Sequence, residues 1–196
     1  MPIPPRPIAI LAYGSLLHEP GPQLTPLIVG REPCETPFPV EYGRASRRWN
    51  DGPVLVPHPD GGRVAGELLL LSPGLPLGVA VDLLAEREGL LSARGVVEVP
   101  MDGGRLVLAA SLPRNLPLPD MRPRALARRA AASVPRGERN GVAYLRNAIE
   151  SGITTPRTAQ YAEEILTLAG ASSLEDAEQR LLALPRTSGG GMDGLG

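Results

Sequence analysis

The chain has 196 residues, which is enough to bury one hydrophobic core and too few for two domains of ordinary size. Its 20 basic residues, all of them arginine, nearly balance 21 acidic residues, so no global field attracts nucleic acid or an anionic membrane. The single cysteine, Cys34, excludes an intramolecular disulfide and a cysteine-based metal cluster.

The first predicted element is a buried strand over residues 8 to 12, a continuous apolar run between prolines and the turn at Gly14-Ser15. Backbone N–H groups released at such a turn can form a nest for an anion such as a carboxylate, although a strand ending in Gly-Ser is commonly only a turn. Residues 17 to 37 are rich in proline and glycine, and they predict a covering loop with at most one helical turn near Leu24.

Further strands are predicted over residues 38–47, 53–57, 63–71, 96–99 and 106–110. The segment 63–71 has the pattern of a central strand, because no charge interrupts its second half. The last two segments flank Asp102-Gly103-Gly104, which predicts a hairpin.

A helix is predicted over residues 76 to 89, where apolar residues recur at helical spacing: Leu77, Val81 and Leu84. The same spacing reaches Glu88, so its carboxylate extends the apolar face, whereas Asp82 and Glu86 fall on a more solvated face. A buried carboxylate is costly unless it is paired or functional, which makes Glu88 a candidate general acid and base. If the helix frays before this residue, Glu88 is instead an ordinary solvated charge.

The rest of the chain has helical patterns over residues 124–133, 140–151, 156–169 and 173–183. Pro156 is predicted at the first position of its helix, and Ser173 as the cap of the next. We therefore predict an α+β fold with one domain over residues 1–186, in which a strand-rich core (8–112) precedes a helical part (124–184). Residues 187–196 are predicted to be a flexible tail.

Other chemistries have weaker support. His18 and His58 lack metal-ligand spacing, so we expect no metal, and Ser15 with His18 lacks the Gly-x-Ser-x-Gly turn of a serine hydrolase. The arginines between residues 122 and 139 have no interleaved aromatic residues and are interpreted as a solvated helix face, not a nucleic-acid site. No signal-peptide core begins the chain, and no window approaches the ~20 apolar residues of a membrane helix, so we expect a cytoplasmic protein.

The segment Tyr13-Gly14-Ser15-Leu16, followed by Pro20-Gly21, resembles the signature loop of the γ-glutamylcyclotransferase superfamily and is similar to its ChaC-type branch. The order that follows is also similar over residues 8 to 111: a Tyr-x-Arg segment (42–44), Trp49, a glycine-containing strand and a helix ending Leu84-Ala85-Glu86-Arg87-Glu88-Gly89. Ala85 stands where the family commonly has aspartate, and the histidine-containing segment of glutathione-specific members is absent.

The resemblance implies a mixed sheet curled towards a partial barrel, with packed helices and a helical C-terminal extension. It implies an enzyme, classed among transferases or lyases of glutathione metabolism, that releases 5-oxoproline from a small γ-glutamyl amide or peptide without a cofactor. Glu88 matches the catalytic glutamate, and Tyr13, Gly14, Ser15 and Leu16 match the substrate-binding loop. The alternative is a catalytically silent member of the fold that binds a small ligand or a protein.

Overall fold

The computed structural model describes residues 6–101, 103–110 and 117–183. Its strands are β1 (Ile8–Ala12), β2 (Ile28–Glu35), β3 (Val40–Ser46), β4 (Gly52–Pro57), β5 (Ala65–Leu71), β6 (Val96–Val99) and β7 (Leu106–Ala110). Its α-helices are α1 (Ser15–His18), α2 (Leu77–Glu88), α3 (Pro123–Ser133), α4 (Gly141–Glu150), α5 (Thr158–Ala169) and α6 (Leu174–Ala183).

The main sheet has five strands in the order β2-β5-β1-β7-β6. The buried strand β1 lies at its centre, antiparallel to β5 and parallel to β7, so the sheet is mixed. β3 and β4 form a separate antiparallel pair. The α+β class is therefore confirmed, and the strands do not close into a barrel.

The structure corrects the prediction for residues 17 to 37, because β2 lies within this segment and pairs with β5 along its length. β2 is an edge strand whose side chains alternate between half-buried and exposed. An edge strand tolerates a proline such as Pro33, which a central strand does not. A proline that suggests a loop is thus compatible with a strand at the edge of the sheet. The other predicted strands, including the hairpin of β6 and β7, are confirmed.

The C-terminal helices are also confirmed, and α3 and α4 pack against β4. A Cβ atom on Gly52 would lie 2.6 Å from the Cα of Gly141, so this contact between β4 and α4 requires glycine. The start predicted at Pro156 is wrong by two residues, since α5 begins at Thr158. At α6 the backbone N–H of Asp176 donates to the Ser173 hydroxyl at 3.1 Å, as a capping residue requires.

The predicted tail at residues 187–196 lies outside the described residues. Along the described ranges, no helix combines the length and the apolar character needed to span a lipid bilayer.

Candidate functional site

A cavity of about 90 Å³ lies where the end of β1, the start of α1, the β3–β4 pair and the end of α2 meet. Tyr13, Ser15, Leu16 and Glu88 line it, so the structure brings the segment 13–16 together with the end of α2, which is distant in the sequence. Gly14 lines a smaller adjoining pocket that shares Ser15 with the first. The predicted site residues therefore form one contiguous region.

The segment 13 to 16 joins the end of β1 to the start of α1. Gly14 has φ 62° and ψ −137°, and a Cβ atom there would lie 2.5 Å from the Tyr144 hydroxyl oxygen, so both backbone conformation and space require glycine. The predicted turn then continues as the one-turn helix α1, which begins at Ser15. The backbone N–H groups of Ser15 and Leu16 are in its first turn, where a helix supplies no acceptor.

Glu88 is the last residue of α2, and the helix does not fray before it. Gly89 adopts the left-handed conformation and donates its N–H to the carbonyl of Glu86, while Leu90 donates to that of Ala85. The Glu88 side chain is 12% exposed. The alternative of a solvated Glu88 at a frayed helix end is therefore excluded.

The buried stripe of α2 differs from the predicted one. It runs through Ala80 and Leu84 towards Glu88, whereas Leu77 is exposed. The small Ala80 adds little to an apolar pattern, so spacing alone favoured the row that begins at Leu77. Glu86 is exposed, as predicted, and accepts a hydrogen bond from Gln23 at 3.0 Å.

Arg87 is a component of the site that the sequence reasoning missed. Its side chain is 6% exposed, and Nη1 donates to Glu88 Oε1 at 2.6 Å. Nη2 donates to the Ser15 hydroxyl at 3.2 Å, and both Nε and Nη2 donate to the Glu19 carbonyl. One guanidinium thus holds the carboxylate and ties the end of α2 to α1. Neighbouring helix residues normally point in different directions, so helical spacing gave no signal for this pair.

Arg44 also lines the cavity, from β3. Its Nε is buried without an acceptor, and its guanidinium makes no hydrogen bond or ion pair with any residue described. Arg48, which lines the same cavity, pairs with Glu19 at 2.8 Å. The strand register shifts between Tyr42 and Arg44, an irregularity that the sequence pattern did not predict.

Two tyrosines, Tyr13 and Tyr144, also line the cavity. Burial, and to a lesser extent the neighbouring Tyr144 and Glu88, raises the pKa of Tyr13 well above its ordinary value. Burial likewise raises the pKa of Tyr144 to about 12, and its hydroxyl accepts the Leu55 N–H at 3.2 Å. The Tyr144 ring packs edge-on against Trp49 with centroids 4.9 Å apart. Both hydroxyls are therefore neutral near pH 7 and can donate a proton in a hydrogen bond.

Neither histidine lines the main cavity, although His18 lines the adjoining pocket together with Gly14. His18 bonds to the Ser151 hydroxyl, and His58 accepts the Asp60 N–H at 3.2 Å. In the part of the chain that the structure describes, no three His, Cys, Asp or Glu residues form a group that could hold a metal ion.

The sequence matches no protein-family model, no curated protein and no solved structure. The function is therefore inferred from the chemistry of the cavity and from the family resemblance of the segments 13–16 and 84–89.

Proposed function

We propose that this chain is a cytoplasmic γ-glutamylcyclotransferase-type enzyme that releases 5-oxoproline from a γ-glutamyl amide or peptide. One observation carries the proposal: Glu88, a carboxylate at the end of a capped helix, lines the same cavity as Ser15 of the 13–16 segment. A largely buried carboxylate beside a turn with free backbone donors is the arrangement that this chemistry needs.

In the proposed reaction, the substrate's α-nitrogen attacks its own γ-carbonyl carbon. A C–N bond forms to close the five-membered ring, and the C–N bond to the leaving amine breaks, so no water is consumed. The net change moves two protons from the α-ammonium to the leaving nitrogen. Glu88 accepts the first as the nucleophile forms and returns it to the leaving nitrogen, and it can carry the second in the same way.

The contacts of Glu88 are compatible with this role. Arg87 holds Oε1, and Oε2 makes no hydrogen bond with any described residue. The second oxygen is thus available for the substrate ammonium, while the first is fixed in place. Because the reaction is intramolecular, much of the rate gain comes from holding the substrate folded, and the N–H groups of Ser15 and Leu16 are donors for its carboxylate or its developing oxyanion.

The more specific fold assignment, a mixed sheet curled towards a partial barrel, is part of the same proposal. A five-stranded mixed sheet with a separate β3–β4 pair beside it is compatible with the partly curled sheet that the resemblance implies. The helical part packs on the β3–β4 pair, with α4 contributing Tyr144 to the cavity.

A second function, ligand binding without turnover, is favoured by the Arg87–Glu88 ion pair. The charge of Glu88 is already compensated within the protein, so the carboxylate does not require a substrate to be stable. The two functions differ in whether a bound γ-glutamyl compound is converted.

The decisive experiment is a panel of γ-glutamyl amides and dipeptides, including glutathione, assayed chromatographically for 5-oxoproline. Glu88→Gln preserves the shape but cannot accept the ammonium proton, so turnover is expected to fall at least about 100-fold. Glu86→Gln is the matched control, because this exposed glutamate lies two residues away on the same helix and should leave activity unchanged.

Each alternative result has a definite meaning. Loss of activity in Glu86→Gln but not in Glu88→Gln would show that the catalytic carboxylate is wrongly assigned. Full activity in both variants would refute carboxylate catalysis at this helix. Binding of γ-glutamyl compounds without 5-oxoproline release from any of them would favour the binding function.

A further inference from the structure

Arg44 lines the cavity as a cation that has no anionic partner among the described residues. Arg44 is half-buried, its Nε is shielded from solvent, and its guanidinium has no hydrogen-bond or ion-pair partner among the described residues. Burying a charged donor without an acceptor is unfavourable, so an anion that entered the cavity would remove this cost. The position of Arg44 therefore points to a ligand that brings its own negative charge.

The other charged groups that line the described part of the wall do not supply this anion. Arg87 forms an ion pair with the Glu88 carboxylate, and Arg48 forms one with the carboxylate of Glu19. Beyond the main effect of burial, the pKa of Tyr13 is raised by Glu88 and lowered by Arg44. Tyr13, Arg44 and Glu88 all line the cavity, so a carboxylate and a cation without a partner among the described residues share the same small space.

We propose that Arg44 binds the α-carboxylate of the substrate while Glu88 takes its α-ammonium, a pairing that rests on the proposed function. The planar guanidinium can bond a carboxylate through two parallel N–H groups, which fixes the orientation of the α-carbon. The N–H groups of Ser15 and Leu16 then remain for the oxyanion that develops at the γ-carbonyl. Selection for γ-glutamyl compounds over amides that lack the α-carboxylate follows from Arg44.

Two substrates separate this role from a structural one: γ-glutamyl-ethylamide, and 4-aminobutyryl-ethylamide, which lacks the α-carboxylate and cyclises to 2-pyrrolidinone. Arg44→Gln is expected to lower kcat/KM for the first by about 10- to 100-fold, the loss of a charge-assisted contact, and to leave the second unchanged. Arg44→Lys should recover part of the loss. Arg47→Gln is the matched control, since this exposed arginine of the adjacent turn does not line the cavity.

Calorimetry with 5-oxoproline and with 2-pyrrolidinone provides a readout that needs no turnover. The wild-type protein should bind 5-oxoproline at least about tenfold more tightly than 2-pyrrolidinone, and Arg44→Gln should abolish this preference. Equal binding of the two compounds by the wild-type protein would overturn the proposal without any variant having to fold.

The outcomes for the two proposals are distinct. If no γ-glutamyl compound is converted but 5-oxoproline binds through Arg44, the carboxylate site stands and the proposed enzymatic function fails. If 5-oxoproline is produced and Arg44→Gln behaves as the wild type with both substrates, the carboxylate site is refuted and the enzymatic function stands.

Discussion

The ion pair between Arg87 and Glu88 gives a stability prediction that requires no substrate. With side chains 6% and 12% exposed and a 2.6 Å contact, the pair is little screened by solvent. Removing one partner of a buried pair typically costs about 3–5 kcal/mol, because the other charge is left without compensation. Arg87→Met should fall in this range, since it also removes the donors to the Glu19 carbonyl.

Glu88→Gln should cost less, about 1–3 kcal/mol, because the amide oxygen still accepts from Arg87. The double variant should then be more stable than the sum of the two losses indicates, by about 1–3 kcal/mol, since neither charge is left unpaired. The free energies of unfolding are measured by urea titration followed by circular dichroism, with the denaturant dependence checked for constancy across the variants.

The exposed pair Arg6–Glu98 is the control for this cycle. Its side chains are 56% and 50% exposed, and its coupling should be below about 1 kcal/mol. Additivity within about 0.5 kcal/mol at Arg87 and Glu88 would refute the argument that these two residues form a coupled structural unit.

Glu41 is fully buried, accepts hydrogen bonds from Thr155 and the Tyr42 N–H, and pairs with Arg157 at 3.0 Å. Glu41→Ala should therefore lower the free energy of unfolding by about 3–5 kcal/mol, and a loss below about 1 kcal/mol in urea titration would contradict this. Burial also raises the pKa of all four tyrosines: Tyr13, Tyr42, Tyr144 and Tyr161. The unfolded chain loses these protons first, so stability should fall as pH rises above about 10, by about 1.4 kcal/mol per pH unit for each tyrosine that is still protonated in the folded protein. Native phenolate absorbance already at pH 10 would refute this.

Part of the candidate site could be predicted from the sequence, because its elements are locally encoded. An apolar run ending in Gly-Ser specifies β1 and its turn, and an apolar repeat ending at Gly89 specifies α2 with Glu88 in its last turn. The caps and periodicities of the C-terminal helices are local in the same sense. The catalytic role of Glu88 stays a prediction, although its place beside Ser15 is now a structural fact.

The features that only the tertiary structure decided depend on contacts between segments that are distant in the sequence. The segment of β2 suggested a loop, and it is a strand because β5 supplies hydrogen-bond partners along the edge of the sheet. Arg44 and Arg87 stand in segments that carry the family resemblance, but the sequence indicated no role for either side chain. Their positions follow from the meeting of α2, α1 and β3 around one cavity, where Arg87 is paired with Glu88 and Arg44 has no anionic partner in the described part of the chain. Periodicity and capping act within a few residues, whereas the pairing of buried charges is set by segments that only the folded chain brings together.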